Sequence, residues 1–378
     1  MPRRPVRIDA DFPGGNIVVE RWEGEHVWLH QDLRDTTTWW FYWHFRARNI
    51  YGRTVRFHFT NGDVMSAAGP AYSLDGKPWQ WLGAANTRAD GFDFTFAQRC
   101  REARFCFSIP YLQADWEAFA ARIGERKGVK HGVLCTTRKG RPVETLSIKP
   151  TRRARAKLLV ACRHHCCEMM ANYVLEGLLD AVIRDPAGAW LRENVDVFAV
   201  PFMDKDGVED GDQGKNRAPR DHNRDYSEKS VHLETAAMRR KIPAWLKGLP
   251  FVGMDFHCPY VKGGRDDSAY FVGHPGEGQW EELQRFSAIL EATREGPVPF
   301  HASDNLEYGK EWNVRTNEEQ GMGFGRWVWT LPGIILATAL ETTYSVAHGV
   351  LMTPDGARGL GRDIARALGL YLQEKLGE

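Results

Sequence analysis

KLLVACRHHCCEMMANYVLEGLLDAVI, residues 157–183, joins two different patterns in one stretch. Its first six residues form a short apolar run, which is typical of a strand covered on both faces. From residue 168 to 183 the apolar residues recur at helical spacing. A strand that gives way to a helix is the repeating unit of an α/β fold. The polar residues fall at the junction, where α/β proteins commonly build their sites.

The same alternation continues through the second part of the chain. Helical spacing predicts helices over residues 114–124, 280–294 and 358–376. Further buried strands are predicted by the apolar runs VDVFAVPF (195–202), FVGMDF (251–256) and IILATALETTY (334–344). The polar stretch 207–230 is predicted to be a long loop, and long loops in compact domains are often functional. We therefore expect residues 111–378 to form an α/β domain with a mixed central sheet flanked by helices.

The first part of the chain has a different pattern. Short aromatic-rich segments are separated by turns that contain glycine and asparagine: NIVVERW (16–22), TWWFYWHFRAR (38–48), TVRFHFT (54–60), FDFTF (92–96) and ARFCFSI (103–109). In the third segment Val55, Phe57 and Phe59 share one face, which is the period of a half-buried strand. We expect an antiparallel β-sandwich over residues 1–110.

Length and composition are consistent with two globular domains. A chain of 378 residues is long for one core, and 43% hydrophobic with 26% charged residues is typical of a soluble globular protein. The net charge of +1 gives no reason to expect nucleic acid or an acidic membrane as a partner. The sequence does not indicate an oligomeric state.

The opening residues and the cysteines indicate the cellular compartment. The opening MPRRPVRIDADFPGG lacks the apolar run of a secretory signal, and no stretch of about 18 apolar residues follows. Seven cysteines are an odd number, scattered along the chain. We therefore expect a cytoplasmic protein with reduced thiols and no structural disulfides.

A metal site is the first chemical hypothesis. His165 and Glu168 are separated by two residues, so an imidazole and a carboxylate at the start of a helix can converge on one cation. Zinc accepts nitrogen and oxygen ligands and commonly takes three protein ligands plus water in catalytic sites. His164 lies four residues before Glu168, so spacing alone does not decide between the two histidines. The neighbouring Cys166 and Cys167 are expected to be buried thiols and not ligands.

A third ligand follows another predicted strand. His257 ends the run FVGMDF, and Asp255 beside it could accept a hydrogen bond from a ligand histidine. Together with His165 and Glu168 it completes a two-histidine, one-glutamate set. We therefore predict one zinc ion per chain.

Two more features suggest how a substrate would bind and react. Asn216-Arg217, Arg220 and Asn223-Arg224 provide planar donors that suit a carboxylate. Glu341 lies in an otherwise apolar run, where burial is costly for a charged group and raises the pKa of a carboxyl. That makes Glu341 a candidate general base for an attacking water.

The order of these residues resembles the zinc carboxypeptidase family, and particularly its cytosolic carboxypeptidase branch. R-x-H-x-x-E is followed by an arginine, then N-R, then D-x-H, then a late glutamate. The N-terminal pieces DADFPGGNI, WWFYWHFRAR and FCFSIPY are similar to the β-sandwich domain of that branch, so the resemblance covers nearly the whole chain.

The resemblance implies a carboxypeptidase-like fold and a zinc-dependent peptide hydrolase that acts on the C-terminus of a peptide or protein. It implies promoted-water attack, in which Glu341 is the base, Arg217 polarises the scissile carbonyl, and Asn223 and Arg224 hold the C-terminal carboxylate. The implied zinc ligands are His165, Glu168 and His257. Arg220 stays open as an alternative to Arg217, and Tyr308 is a candidate for a tyrosine that caps the substrate.

The sequence also departs from the family pattern. Cys166-Cys167 stands where the branch usually has Pro-Gly. The branch removes acidic residues, especially glutamate, and Lys262 and Arg265 could favour such substrates. Two alternatives remain: a zinc-dependent deacylase of N-acyl amino acids, and a peptide-binding protein without catalytic activity.

Overall fold

Ten short strands precede the first α-helix in the structure, a computed structural model that describes residues 6–377. They form two five-stranded sheets, in the orders β1-β4-β10-β6-β7 and β2-β3-β5-β9-β8. The strands are β1 (Arg7–Asp9), β2 (Val18–Glu23), β3 (His26–His30), β4 (His44–Arg48), β5 (Thr54–Phe59), β6 (Ala71–Leu74), β7 (Gln80–Trp81), β8 (Thr87–Arg88), β9 (Gly91–Thr95) and β10 (Glu102–Cys106).

The two sheets pack face to face through aromatic side chains. Phe45 of β4 and Phe105 of β10 each lie with ring centroids 5.3 Å from Phe57 of β5. The predicted inward residues Val55 and Phe57 are fully buried, and Phe59 is nearly so. The N-terminal sandwich is therefore confirmed. One strand pair, β3 with β5, is parallel, whereas the prediction was antiparallel throughout.

The aromatic segment 38–48 differs from its prediction. Only His44–Arg48 is a strand, and residues 39–43 are irregular. The side chain of Gln213 accepts from the Tyr42 N–H and donates to the Tyr42 carbonyl, at 2.8 and 2.9 Å. These bonds take the place of a strand partner, so the prediction of a continuous strand was wrong for the first half of the segment.

The elements after residue 110 alternate between helices and strands. In chain order they are α1 (Gln113–Ile123), β11 (Val129–Thr136), β12 (Pro142–Ile148), β13 (Ala156–Cys162), α2 (Met170–Arg184), α3 (Ala189–Asn194), β14 (Val195–Val200), α4 (Lys205–Asp210), α5 (Leu233–Leu246), β15 (Phe251–His257), β16 (Ala269–Val272), α6 (Gln279–Thr293), α7 (Phe324–Trp329), β17 (Ile334–Thr342), β18 (Val346–Ala347), β19 (Val350–Leu351) and α8 (Pro354–Lys375). Short 3₁₀ helices occur at Ala84–Asn86, Pro186–Gly188, His222–Arg224, Gly264–Asp267, Ala302–Asp304 and Arg315–Glu318.

Seven of these strands form one mixed sheet in the order β11-β12-β14-β13-β15-β17-β16. The four strands β14, β13, β15 and β17 are parallel, and the remaining strands join antiparallel at both sides. The mixed α/β sheet flanked by helices is confirmed. The predicted loop 207–230 is corrected at its start, where α4 extends to Asp210, and in its middle, where a 3₁₀ turn spans His222–Arg224.

Helices cover both faces of this sheet. Along β13, Leu158 and Val160 belong to the core beneath α2 and α8, whereas Leu159 and Ala161 belong to the core beneath α5 and α7. This alternation explains why β13 is apolar throughout.

The predicted division between residues 110 and 111 stays a prediction, and residues 1–5 and 378 lie outside the described part of the chain. All seven cysteines are free thiols. Within residues 6–377, no helix is long and apolar enough to cross a membrane.

Candidate active site

The candidate site lies at the carboxyl edge of the parallel strands. β13 pairs in parallel with β14 on one side and with β15 on the other. Successive strands are therefore added on opposite sides of β13, which makes it a switch point in the strand order. A crevice outside the strand ends at such a point is the usual ligand site of an open α/β sheet. His165 and Glu168 follow β13, His257 ends β15, and Glu341 lies near the end of β17.

Arg163 shapes the turn that carries the first two residues. It has a φ of 61°, so the chain leaves β13 in a left-handed conformation. Its buried guanidinium donates to the carbonyls of Cys166 and Tyr111 and to Asn172, at 2.8–3.0 Å. Glu168 is thereby fixed just before the first turn of α2.

The structure brings His165, Glu168 and His257 together. His165 Nδ1 lies 2.8 Å from one oxygen of Glu168, and His257 Nδ1 lies 2.6 Å from the other. All three side chains are buried. One ligand atom of each lies within 4.8 Å of the others, so the three can bind one metal ion.

His164, the histidine that spacing left as an alternative ligand, occupies a different position from His165. Its Nδ1 lies 2.8 Å from Asp255 and its Nε2 lies 2.7 Å from the Tyr226 hydroxyl. His164, Asp255 and His257 are also close enough to form a metal-binding group. His165 lines the cavity that also contains His257 and Glu341, whereas His164 does not. The group that contains His165 is therefore the one that we propose as the metal-binding set.

Carboxylates orient the outer nitrogens of the two histidines. His165 Nε2 lies 3.2 Å from Asp221, and His257 Nε2 lies 2.7 Å from Asp255. Burial opposes ionisation of Asp255, but His164 and His257 together hold its pKa at about 2. Such carboxylate–histidine pairs fix the orientation of metal ligands.

Glu341 lies beside His257 in the register of β15 and β17. Burial, together with the negative charge of Glu168, raises the pKa of Glu341 to about 7, although His257 opposes the shift. Its Oε2 atom is buried without a hydrogen-bond partner among the described residues. A carboxyl with this pKa and an unused oxygen is suited to exchange a proton with a reacting group.

One cavity joins these residues to the predicted carboxylate clamp. Asn223 and Arg224 lie on its wall together with His165, His257 and Glu341. The side-chain Oδ1 of Asn223 accepts from the Phe324 N–H at 2.8 Å, and the side-chain Nδ2 lies 3.1 Å from His257 Nε2. The asparagine is therefore held in place beside the arginine.

The two predicted carbonyl-polarising arginines do not line this cavity. Arg217 is bound instead by Asp204 at 2.5 Å and Asp212 at 3.0 Å, and it lines a neighbouring cavity. Arg220 pairs with Asp225 at 3.0 Å. The structure thus does not bring either residue to Glu341.

Other basic residues of the sequence hypothesis also lie elsewhere. Lys262 pairs with Asp63 at 2.8 Å and Arg265 with Glu311 at 2.8 Å. Neither residue lines the cavity, and nor does Tyr308. The cations on the wall of the cavity are Lys215, Arg224 and Arg326.

Sequence reasoning missed Lys215, Arg326 and Asp221. Asp221 was within reach, because it stands two residues before Asn223 in the same polar segment. Nothing in the spacing of Lys215 or Arg326 indicates a shared cavity, since the two are far apart along the chain.

The residues present fit a zinc ion. Two imidazole nitrogens and a carboxylate are a common ligand set of catalytic zinc. Burial opposes ionisation of Glu168, yet the neighbouring His165 and His257 hold its pKa well below the usual value. A charged carboxylate between two oriented histidines is therefore ready to bind a cation. As predicted, Cys166 and Cys167 are buried thiols, and burial raises the pKa of Cys167 to about 12.

Comparison with known proteins supports the same conclusion. Residues 114–255 match the family model described as zinc carboxypeptidase. The predicted resemblance is confirmed. The matched segment includes His165 and Glu168 and ends two residues before His257.

Similar proteins are found among both curated sequences and solved structures. The chain is 27% identical over 261 residues to cytosolic carboxypeptidase 2 of Danio rerio, covering 58% of this chain and 36% of that protein. It is 28% identical over 188 residues to cytosolic carboxypeptidase 4 of Mus musculus, covering 44% and 17%. The match thus spans little more than a third of these relatives at most. An uncharacterized protein of Zymomonas mobilis is 24% identical, with 67% of each chain covered.

The solved structures establish the fold over almost the whole chain. A metallo-carboxypeptidase of Burkholderia cenocepacia superimposes with a TM-score of 0.79 and 18% identity, over 98% of this chain and 100% of that one. A Pseudomonas aeruginosa metallo-carboxypeptidase in complex with (2-guanidinoethylmercapto)succinic acid gives 0.71 and 24%, over 97% and 99%. The zinc carboxypeptidase fold, N-terminal sheets included, is therefore shared.

Proposed function

We propose that this protein is a zinc-dependent metallocarboxypeptidase that releases C-terminal residues from peptides or proteins. The observation that carries the proposal is the convergence of His165, Glu168, His257 and Glu341 at one cavity whose wall includes Asn223 and Arg224. A metal-binding set, a base and a carboxylate clamp are the groups that exopeptidase hydrolysis requires.

His165, Glu168 and His257 would hold the zinc ion, one per chain. A zinc ion in such a set supplies Lewis-acid chemistry, since it polarises a carbonyl and makes water more acidic. Asp221 and Asp255 keep the two histidines oriented toward Glu168.

Glu341 would act as the general base and then as the acid. It takes a proton from the attacking water as the water oxygen bonds to the scissile carbonyl carbon. It then returns that proton to the amine as the carbon–nitrogen bond breaks. Because its pKa is raised to about 7, Glu341 can perform both transfers near neutral pH.

Asn223 and Arg224 would bind the terminal carboxylate. An arginine and an amide side by side offer planar, charge-assisted donors. Because this clamp adjoins the metal-binding residues, it places the last peptide bond of a substrate at the site of reaction, and internal bonds of a long chain stay out of reach.

An acidic, glutamate-type preference is the finer part of the proposal. The charged residues on the cavity wall are three basic side chains, Lys215, Arg224 and Arg326, and one carboxylate, Glu341. Arg224 would hold the terminal carboxylate, and Arg326 on the same wall is the arginine that an acidic side chain of the substrate would meet. The names of the cytosolic relatives suggest that the protein acts in the cytoplasm.

The test is amino-acid release from peptides that differ only in their last residue: glutamate, aspartate, lysine or phenylalanine. We expect release from the acidic peptides, inhibition by a chelator and recovery with zinc. Release that persists in the chelator would contradict the zinc mechanism. Hydrolysis of N-acyl amino acids without peptide cleavage would instead identify a deacylase, and tight binding of uncut acidic peptides would identify a binding protein.

A further inference from the structure

Lys215 is a cation on the cavity wall that belongs neither to the metal-binding set nor to the carboxylate clamp. It is half-buried and shares the cavity with His165, His257 and Glu341. Lys215 therefore lies on the same cavity wall as the candidate base and two of the candidate metal ligands.

The backbone before Lys215 packs directly on the metal-binding turn. Gly214 has a φ of +79°, and a Cβ there would clash with the backbone nitrogen of Cys166. Only glycine meets both conditions, since it has no Cβ and tolerates positive φ. This contact brings the next residue, Lys215, to the side of His165.

The N-terminal part of the chain holds the other side of the same loop. The two oxygens of Asp35 accept the N–H groups of Gln213 and Gly214 at 2.9 and 2.8 Å. The N–H of Thr37 donates to the carbonyl of Asn216 at 3.1 Å. Lys215 therefore lies between two anchored residues.

Residues 35–40, which we term the 35–40 segment, make two further contacts with this loop. Thr36 and Arg217 form an antiparallel bridge. The indole of Trp40 lies with its ring centroid 5.6 Å from Lys215 Nζ, within the range of a cation–π contact. Trp40 also donates to Cys167 Sγ at 3.4 Å, so its ring is tied to the metal-binding turn.

We propose that Lys215 is a catalytic residue that stabilises the carbonyl oxygen of the scissile bond, and that the 35–40 segment positions it. The inference rests on the proposed peptidase function and adds a residue and an element to it. Arg217 and Arg220 are engaged by Asp204, Asp212 and Asp225 outside this cavity, so neither supplies that charge.

The chemistry requires a cation that keeps its proton. As the water oxygen bonds to the carbonyl carbon, the π electrons move to the carbonyl oxygen, which becomes negative. The Lys215 ammonium donates a hydrogen bond to that oxygen and stabilises it while the charge exists. When the carbon–nitrogen bond breaks, the electrons return, and Lys215 is unchanged.

The first test compares Lys215→Met, Lys215→Arg and a surface control, Lys127→Met. Loss of an oxyanion donor typically costs about 10²–10³ in kcat. We expect a loss of this size for Lys215→Met with a smaller change in KM, partial recovery in Lys215→Arg, and wild-type zinc content in all three. Lys127 is exposed and does not line the cavity, so its variant should match the wild type.

A binding measurement separates this inference from the proposed function. A phosphinic peptide mimics the tetrahedral state, whereas a succinate-type product mimic engages only the carboxylate clamp. Lys215→Met should weaken the phosphinic peptide selectively, even if the wild type hydrolyses none of the peptides in the panel. Values of kcat and phosphinic affinity both within about threefold of wild type would overturn the role of Lys215.

The positioning role is tested by a double-mutant cycle with Asp35→Asn. If Asp35 acts through Lys215, the double variant Asp35→Asn/Lys215→Met should be no slower than Lys215→Met alone. Asp35→Asn should also lower the affinity for the phosphinic peptide when Lys215 is present, and not when it is replaced by Met. The exposed Asp11→Asn should change neither kcat nor this affinity. Additive losses of kcat would overturn the positioning part of the proposal.

Discussion

The carboxyl groups of this site differ in pKa because their surroundings differ. Asp255 accepts from two histidines, which keep its pKa at about 2, whereas buried Glu341 has a pKa near 7. Both are carboxylic acids on neighbouring strands, since Asp255 pairs with Ala339 and His257 with Glu341 in the register of β15 and β17. Charge control of this kind separates groups that orient ligands from a group that transfers protons.

Glu341→Gln tests that separation. The substitution removes a base and leaves the metal-binding set intact, so zinc content should stay at the wild-type level. Turnover should fall by about 10²–10⁴, the usual contribution of general acid–base catalysis. The two readouts are zinc analysis and peptide hydrolysis on the same preparation. Loss of zinc in this variant would mean that Glu341 is a ligand.

Glu234, outside the active site, gives a pH-dependent prediction. Burial raises its pKa to about 7, with Asp204 and Asp206 adding to the shift and Arg138 opposing it. The folded state therefore binds the Glu234 proton more tightly than the unfolded chain does. The stabilisation that comes from the protonated carboxyl is lost as the pH rises from about 4.5 to 7. Glu234→Gln should raise the free energy of unfolding by roughly 1–3 kcal/mol more at pH 8 than at pH 4.5.

Chemical denaturation at the two pH values measures this difference. The exposed Glu125→Gln is the matched control and should give the same change at both. A Glu234→Gln effect that does not vary with pH would show that the carboxyl is not held protonated.

At the scale of elements, α2 and α8 pack unusually close together on one face of the sheet. A Cβ on Gly361 of α8 would clash with the Val174 carbonyl of α2, and one on Gly177 would clash with the Arg358 carbonyl. Backbone atoms cannot move aside as flexible side chains can. The two glycines therefore set the distance between these helices.

Gly361→Ala should lower the free energy of unfolding by about 1–3 kcal/mol, because the helices must separate. Gly369 lies in the same helix, but the nearest atom to its Cβ position is 3.8 Å away. Gly369→Ala should therefore raise stability by about 0.5–1 kcal/mol through helix propensity alone. Equal effects of the two substitutions in denaturant titrations would contradict the packing account.

Apolar runs and the spacing of polar residues predicted many of the strands and helices and several residues of the candidate site. β15 was predicted to end near His257 because its apolar run is short and stops at a polar residue. The proximity of His165 and Glu168 was predictable because both residues belong to one turn. The choice between His164 and His165 was not predictable from spacing, since it depends on which of the two histidines lines the cavity.

At the scale of the whole molecule, contacts between distant parts of the chain complete the site. Asp35 and Gly214 are 179 residues apart, and no local periodicity indicates that they pair. For the same reason Arg217 was a reasonable prediction from its place in the motif, and its three carboxylate neighbours became visible only in the fold. The irregular residues 39–43 likewise depend on Gln213.

The core is continuous between the N-terminal sheets and the α/β sheet. Phe107 packs on Tyr344 with ring centroids 4.9 Å apart, and the Ser108 hydroxyl donates to the Tyr344 carbonyl at 3.0 Å. Trp81 donates to the Met352 carbonyl at 2.7 Å. The N-terminal part of the chain therefore packs against the segment that follows Glu341. These contacts connect the N-terminal sheets with the strand that carries the candidate base.

The most direct test of the account is the zinc content of the wild-type protein and of His257→Ala, measured by mass spectrometry after dialysis. His301→Ala, at a partly exposed histidine that pairs with Glu291 and does not line the cavity, serves as the control. The account predicts one zinc per chain in the wild type and the control, and loss of that zinc in His257→Ala. A wild-type protein without zinc, or a His257→Ala variant that keeps a full equivalent, would contradict it.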